Sequence, residues 1–149
     1  MHEITSAMRD YIKTLFIIEE RGGAANTTEL AKKLQVSPAS VTEMVHKLVT
    51  KGMLTHEPYR EIRLTEKGRE TAINILRRHR LLEKLFVDFL GLSIESACEE
   101  ASKLELQLSD HAVNSICVAF NHPSICPCGK PIYSDEKCCG RPLKQKLKD

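Results

Sequence analysis

Tryptophan is absent from the 149 residues, and aromatic side chains make up only 5% of them. Sheet-built cores draw heavily on aromatic and β-branched side chains, so this Leu- and charge-rich composition points instead to packed helices. Nowhere does the chain approach the roughly 18 consecutive apolar residues of a membrane-spanning helix. The opening Met1-His2-Glu3-Ile4 has neither a basic n-region nor an apolar h-region, so no secretory signal is read and a cytoplasmic chain is expected. There is no glycine-rich phosphate loop and no nucleophile paired with a base, so neither an enzyme nor a small organic substrate is expected. Cysteine is not scarce. Six cysteines in a cytoplasmic chain favour metal or redox chemistry over structural disulfides.

A formal net charge of +2 conceals an uneven distribution. Residues 32–84 carry twelve Lys/Arg against six Asp/Glu, a local +6, whereas residues 85–115 carry one Lys against six acids, a local −5. Residues 123–149 return to +3. A basic front half suits phosphate contact, and the acidic stretch behind it suits a divalent cation or a partner surface.

Met8, Tyr11, Ile12, Leu15 and Ile18 recur at helical spacing over residues 7–19, and Arg21-Gly22-Gly23 stops that helix. Asn26-Thr27-Thr28 caps a short second helix. Ser37-Pro38, a capping serine before a first-turn proline, opens a third that runs through Leu48 to a stop at Gly52. Alternating runs at Met53–His56 and Ile62–Thr65 predict a small hairpin. A long helix is expected from Glu66 to Phe89, ending at Gly91. A further one is expected from Ile94 to His111, with Ala97, Ala101, Leu104 and Leu108 as its apolar stripe.

Helix, helix, turn, helix and then a two-stranded wing is the order of a winged helix-turn-helix. Ser37, Pro38, Ala39, Ser40, Thr42 and Glu43 put small and polar groups at the start of its third helix, which allows close approach to base edges. Lys47 and Lys51 at the helix end, with Arg60 and Arg63 in the wing, are placed to reach phosphates. Protein contact is the alternative use of such a module; the basic surplus favours a double-stranded DNA operator. The apolar stripe behind the wing and the two half-sites of an operator both predict a homodimer.

Four cysteines fall within the last 24 residues, as Cys126-Pro127-Cys128 and the adjacent pair Cys138-Cys139. Two close thiol pairs in a short polar tail suit a tetrahedral zinc, an iron–sulfur centre or a redox dithiol, and spacing alone does not separate these. On that reading residues beyond about 122 have no core of their own and fold around the metal. The tail motif is similar to the short zinc-binding motif at the C-terminus of the SecA translocation ATPase, with nine residues between the pairs here instead of eight. Cys117 shows no partner in the sequence and reads as a core residue. His79 and Glu83 lie four apart on a helix, either sharing an ion or forming an ordinary polar face.

Tyr11-Ile12, Ser37-Pro38-Ala39-Ser40-Val41-Thr42 and Leu64-Thr65-Glu66-Lys67-Gly68 occur in order with His79-Arg80-Leu81-Leu82-Glu83-Lys84, Gly91-Leu92, Leu108-Ser109-Asp110 and Gly129-Lys130-Pro131-Ile132. Over residues 4 to about 132 the chain resembles the metal-dependent repressors of the diphtheria toxin repressor and manganese transport regulator type. The resemblance implies a homodimeric repressor whose DNA-binding form is favoured by Fe2+ or Mn2+. It places His79 and Glu83 at the family's ancillary metal site, with Cys98 where a histidine is usual; cysteine suits zinc or ferrous iron better than manganese. It places the second site on Asp10, Ser102, Glu105 and Leu106, of which Asp10 and Glu105 are competent oxygen donors. Glu99 and Glu100 nearby are either substitutes or a solvated face.

The expectation is therefore a mainly α chain. Residues 1–70 form the winged helix-turn-helix, 71–122 a helical dimerisation and metal-sensing domain, and 123–149 a cysteine-rich metal-binding tail. Two other readings remain open on the residues alone. One is a thiol or iron–sulfur redox-sensing transcription factor switched by Cys126, Cys128, Cys138 and Cys139. The other is an architectural DNA-binding protein with a structural zinc.

Overall fold

The structure, a computed structural model, describes residues 3–140. Lys144, Lys146 and Lys148, three of the basic residues counted over 123–149, lie outside the described residues. Two compact units divide the chain, Glu3–Ala72 and the part from Ile73 onward.

In the first unit, α1 (Ser6–Glu20) is capped by the Thr5 side chain, which accepts from the Met8 amide. α2 (Thr27–Leu34) carries a full capping box: Asn26 accepts from the Glu29 amide and the Glu29 carboxylate accepts from the Asn26 amide. α3 (Pro38–Thr50) is capped by Ser37 and has proline in its first turn, as its sequence predicts. The wing is an antiparallel pair, β1 (Leu54–Thr55) and β2 (Arg63–Leu64), with Leu54 opposite Leu64 and Thr55 opposite Arg63. An additional bridge joins Ala25 to Ile62.

α1 packs on α2 and β2, and α3 on α2 and β1, around Ile12, Leu15, Leu30, Val41, Leu48 and Ile62. A carboxylate is built into this arrangement. Glu19 accepts from the Leu64 amide at 2.8 Å and also from the Arg69 guanidinium, tying the end of α1 to the wing.

The run Leu64-Thr65-Glu66-Lys67-Gly68 has a physical explanation here. Thr65 donates its hydroxyl to the Gly52 carbonyl at 2.6 Å and accepts from the Gly68 amide at 3.0 Å, opening α4 (Glu66–Lys84). Gly68 is needed for close approach: a Cβ there would stand 2.0 Å from the Met53 carbonyl oxygen.

α4 begins in the first unit and supplies residues 73–84 to the second. A single π-helical turn, Leu85–Phe89, extends it, and Gly91 at φ +73° ends the run. The helix expected over Ile94–His111 is instead two helices, α5 (Ile94–Leu104) and α6 (Asp110–Ala119). Ser109 caps the second by accepting from the Ala112 amide at 3.2 Å, and the buried Arg78 holds the intervening turn through the Glu105 and Leu108 carbonyls and the Asp110 carboxylate. A final short helix, α7 (Glu136–Cys139), is capped by Asp135.

The cysteine-rich segment differs from the coreless tail expected of it. Its described residues belong to the same unit as residues 73–122. Cys126 and Ile132 join Leu81, Val113 and Cys117 in a hydrophobic cluster, and Tyr133 and Ser134 are also buried. A tight turn closes the segment: the Cys126 amide donates to the Lys130 carbonyl at 2.9 Å, and the Gly129 amide to the Cys126 carbonyl at 2.9 Å. Arg80 donates to the Pro131 carbonyl at 2.6 Å and stands 5.3 Å from the Tyr133 ring centroid.

Arg77, Arg78 and Arg80 are all buried. Those three of the basic residues counted over 32–84 are therefore internal cross-links, not phosphate ligands.

Candidate metal centre and nucleic-acid interface

His79 and Glu83 face the same way from α4, with His79 Nε2 3.3 Å from Glu83 Oε1. Cys98 on α5 brings its Sγ to 3.4 Å from the same His79 nitrogen. His79, Glu83 and Cys98 thus converge, each offering one ligand atom within 4.8 Å of the others. The opposite ring nitrogen, Nδ1, lies 2.6 Å from Glu105 Oε2 in a buried contact. Such a carboxylate holds the proton on Nδ1 and presents Nε2 as the donor, the usual support for a metal-bound imidazole. Glu105 was expected as a ligand of a separate second site with Asp10; in the structure its Oε2 lies against His79 Nδ1. Asp10 is half-exposed and paired with Arg9 at 2.9 Å. The Ser102 hydroxyl donates to the Cys98 carbonyl. Glu99 and Glu100 are held by Lys103 at 3.4 and 2.8 Å, as on a solvated face.

The four tail thiols do not gather into one set. Cys126 and Cys128, whose sulfurs are 2.9 Å apart, group with Glu83. Cys128 Sγ lies 3.6 Å from Glu83 Oε2, the oxygen opposite the one facing His79. Glu83 therefore has a His79/Cys98 donor set on one oxygen and a thiol pair on the other. Burial pushes the Glu83 carboxyl up, but the hydrogen bond and charge of His79 and hydrogen bonds from Cys126 and Cys128 outweigh it, so the group titrates below its usual value. Burial and the hydrogen bond with Cys128 raise the Cys126 thiol to about 11.

Cys138 and Cys139 instead join Cys117 and His122. Cys117 was read as core; it is buried as expected, yet two further thiols and an imidazole surround its sulfur. Burial, with the hydrogen bond to Cys139, pushes its pKa to about 12.

Nine of the ten residues expected to meet DNA are exposed, Ser37, Pro38, Ala39, Ser40, Thr42, Glu43, Lys47, Arg60 and Arg63, and Lys51 is half-buried. Several are already engaged within the chain. Thr42 donates to the Pro38 carbonyl at 3.1 Å, and Lys47 pairs with Glu43 at 2.7 Å. Each wing arginine has a carboxylate beside it, Glu57 at 3.0 Å from Arg60 and Glu61 beside Arg63. At the wing tip Tyr59 is fully exposed on a left-handed backbone, φ +60°, a feature the sequence pattern does not single out. Among the described residues no helix is long and apolar enough to cross a membrane.

A winged helix-turn-helix followed by a helical unit with converging imidazole, carboxylate and thiol groups defines a metal-binding transcription regulator. Comparison with known proteins makes this particular. Residues 3–62 match the iron dependent repressor N-terminal DNA binding domain, and residues 65–134 match the iron dependent repressor metal binding and dimerisation domain. The chain belongs to the iron-dependent repressor family.

It is 41% identical over 114 residues to an HTH-type transcriptional regulator of Methanocaldococcus jannaschii, covering 76% of this chain and 91% of that one. The iron-dependent repressor IdeR of Mycobacterium tuberculosis is 33% identical over 132 residues, covering 89% of this chain and 57% of the repressor. The transcriptional regulator MntR of Geobacillus kaustophilus is 38% identical over 112 residues, covering 75% and 79%. Among solved structures, the manganese regulator SloR superposes with a TM-score of 0.77 at 32% identity, covering 91% of this chain and 61% of that one. The chain thus spans little more than half the length of the mycobacterial repressors and about three-fifths of SloR.

Proposed function

We propose that this chain is a homodimeric repressor that binds an operator through α3 and the wing, with its DNA affinity set by a divalent ion held at His79, Glu83 and Cys98. Cys126 and Cys128 join this centre through the second oxygen of Glu83. One observation carries the reading: the Glu105 carboxylate, 2.6 Å from His79 Nδ1, orients the imidazole toward Glu83 and Cys98. A buried carboxylate fixed on the far side of a histidine is the arrangement that supports a metal ligand.

The donor chemistry speaks to the metal. Imidazole, carboxylate and thiol together favour ferrous iron or zinc, whereas manganese prefers oxygen ligands. Iron fits the family domains matched by both halves of the chain. Because His79 and Glu83 lie on α4, the helix that starts at the wing, an ion there acts on the element leading to the DNA-binding unit.

The test is operator binding by oxygen-free protein titrated with Fe2+, Zn2+ or Mn2+. The reading expects tighter binding with Fe2+ than with Mn2+, and loss of that response in Glu83→Gln. Metal-independent operator binding by the wild-type chain would overturn it.

A further inference from the structure

Cys117, His122, Cys138 and Cys139 have no part in the regulatory centre, yet their ligand atoms all lie within 4.8 Å of one another. We propose that they form a separate structural site for a single tetrahedral Zn2+ ion. A tetrahedral zinc with Zn–S of about 2.3 Å and Zn–N of about 2.0 Å requires S···S edges of about 3.8 Å and S···N edges of about 3.5 Å. The edges already present are 3.7 Å for Cys117–Cys139, 3.5 Å for Cys117–His122 and 3.9 Å for Cys138–His122, the last two measured to Nδ1. Three of the six edges are thus within a few tenths of an ångström of the tetrahedral values, and all four ligand atoms lie within 4.8 Å of one another.

Local structure brings these four residues together for identifiable reasons. α6 is followed by Asn121 and His122, both in the left-handed region at φ 55° and 52°, a conformation uncommon for residues other than glycine but one in which Asn and His are enriched. That closing turn folds the His122 amide back onto the Cys117 carbonyl at 2.8 Å, setting the imidazole beside the Cys117 thiol. α7 supplies the other two ligands from consecutive positions, held by Asp135, whose carbonyl accepts from the Cys139 amide at 2.6 Å.

A second, independent observation points to an anionic complex there. The Arg77 side chain is fully buried; it donates through Nη1 to Asn114, while its Nε and Nη2 have no partner among the described residues. Its charge acts on Cys117, Cys138 and Cys139 alike. Three thiolates around a divalent ion leave one negative charge. A buried guanidinium with unused N–H groups supplies the counter-charge that such a complex needs.

This site differs from a four-cysteine site in using Cys117 and His122 and sparing Cys126 and Cys128. The test is Co2+ substitution of the full-length chain, because tetrahedral cobalt–thiolate centres absorb strongly in the visible and near ultraviolet. Cys126→Ser/Cys128→Ser is expected to retain one tightly held equivalent with that absorption. Adding Cys117→Ser or His122→Ala to this background should weaken cobalt retention at least tenfold. His122→Cys should keep the ion and strengthen the thiolate-to-cobalt band, separating ligation from a folding defect. If the Cys126/Cys128 variant loses the tetrahedral spectrum while the His122→Ala single variant keeps it unchanged, the site is not the one proposed. Loss of the iron response at Glu83→Gln with cobalt retained would leave this proposal standing, so the two readings fail separately.

Discussion

Glu105 lies 2.6 Å from His79 Nδ1, with its carboxyl group wholly withdrawn from solvent. Removing the charge while keeping the shape isolates what this contact does. Glu105→Gln should preserve the helical content and lower metal affinity by about 10- to 100-fold, the usual cost of losing a carboxylate behind a ligating histidine. Isothermal titration with the ion, beside a thermal melt of the metal-free chain, checks both halves. An unchanged affinity would mean that His79 is not a ligand.

The wing arginines predict an effect opposite to that of most mutations. Arg60 and Arg63 are each paired with a carboxylate of the same loop, Glu57 and Glu61, and all four are solvent-exposed. Such pairs contribute little to stability. Glu57→Ala/Glu61→Ala should leave the fold unaltered, free both arginines and tighten binding to any duplex. The slope of log affinity against log salt should steepen by about one for each phosphate newly neutralised. Fluorescence anisotropy over a salt series reads it, with Arg63→Ala as the opposing control.

Gly68 makes a prediction about stability. An alanine methyl at this position would collide with the Met53 backbone, which cannot swing aside as a flexible side chain does. Gly68→Ala should destabilise the chain by about 3 kcal/mol, at the upper end of the cost of overpacking. Urea denaturation would measure it, and amide exchange in residues 53–72 would localise the damage.

Much of the fold is written in local signals, and the metal groups less so. The Asn26/Glu29 capping box, Ser37-Pro38 and Gly91 all mark boundaries where the structure has them, because each satisfies or relieves backbone within one turn. Ser109-Asp110 is a signal of the same kind, and it separates α5 from α6 where apolar periodicity alone suggests one helix. The burial of Arg77, Arg78 and Arg80 is illegible locally, since helical spacing does not say which face another element will cover. Cys117 and His122 escape notice for a related reason. They meet Cys138 and Cys139 only after the left-handed pair at Asn121-His122 and the turn through Asp135 fold the chain back, whereas sequence spacing favoured pairing the four tail cysteines with one another.

The final prediction concerns the dimer. Of the expected stripe, Ala97, Ala101, Leu104 and Leu108, the two alanines are fully buried within the chain while Leu104 is exposed. Phe89 and Leu90 at the π-helical turn and Ile94 and Leu104 on α5 are among the exposed apolar side chains, and these two elements pack against each other. Phe89 is 75% exposed, a large ring in water on a domain whose family description is metal binding and dimerisation. Burying a side chain of that size contributes about 1.5–3 kcal/mol, so placing a charge there should act on association more than on folding. Phe89→Lys/Leu104→Lys should retain the wild-type melting profile at low concentration yet sediment as a monomer at micromolar concentration. Operator affinity should fall with it, because two half-sites bound separately lose the gain from linkage. Sedimentation velocity decides it: a variant that still sediments as a dimer would move the interface away from this surface.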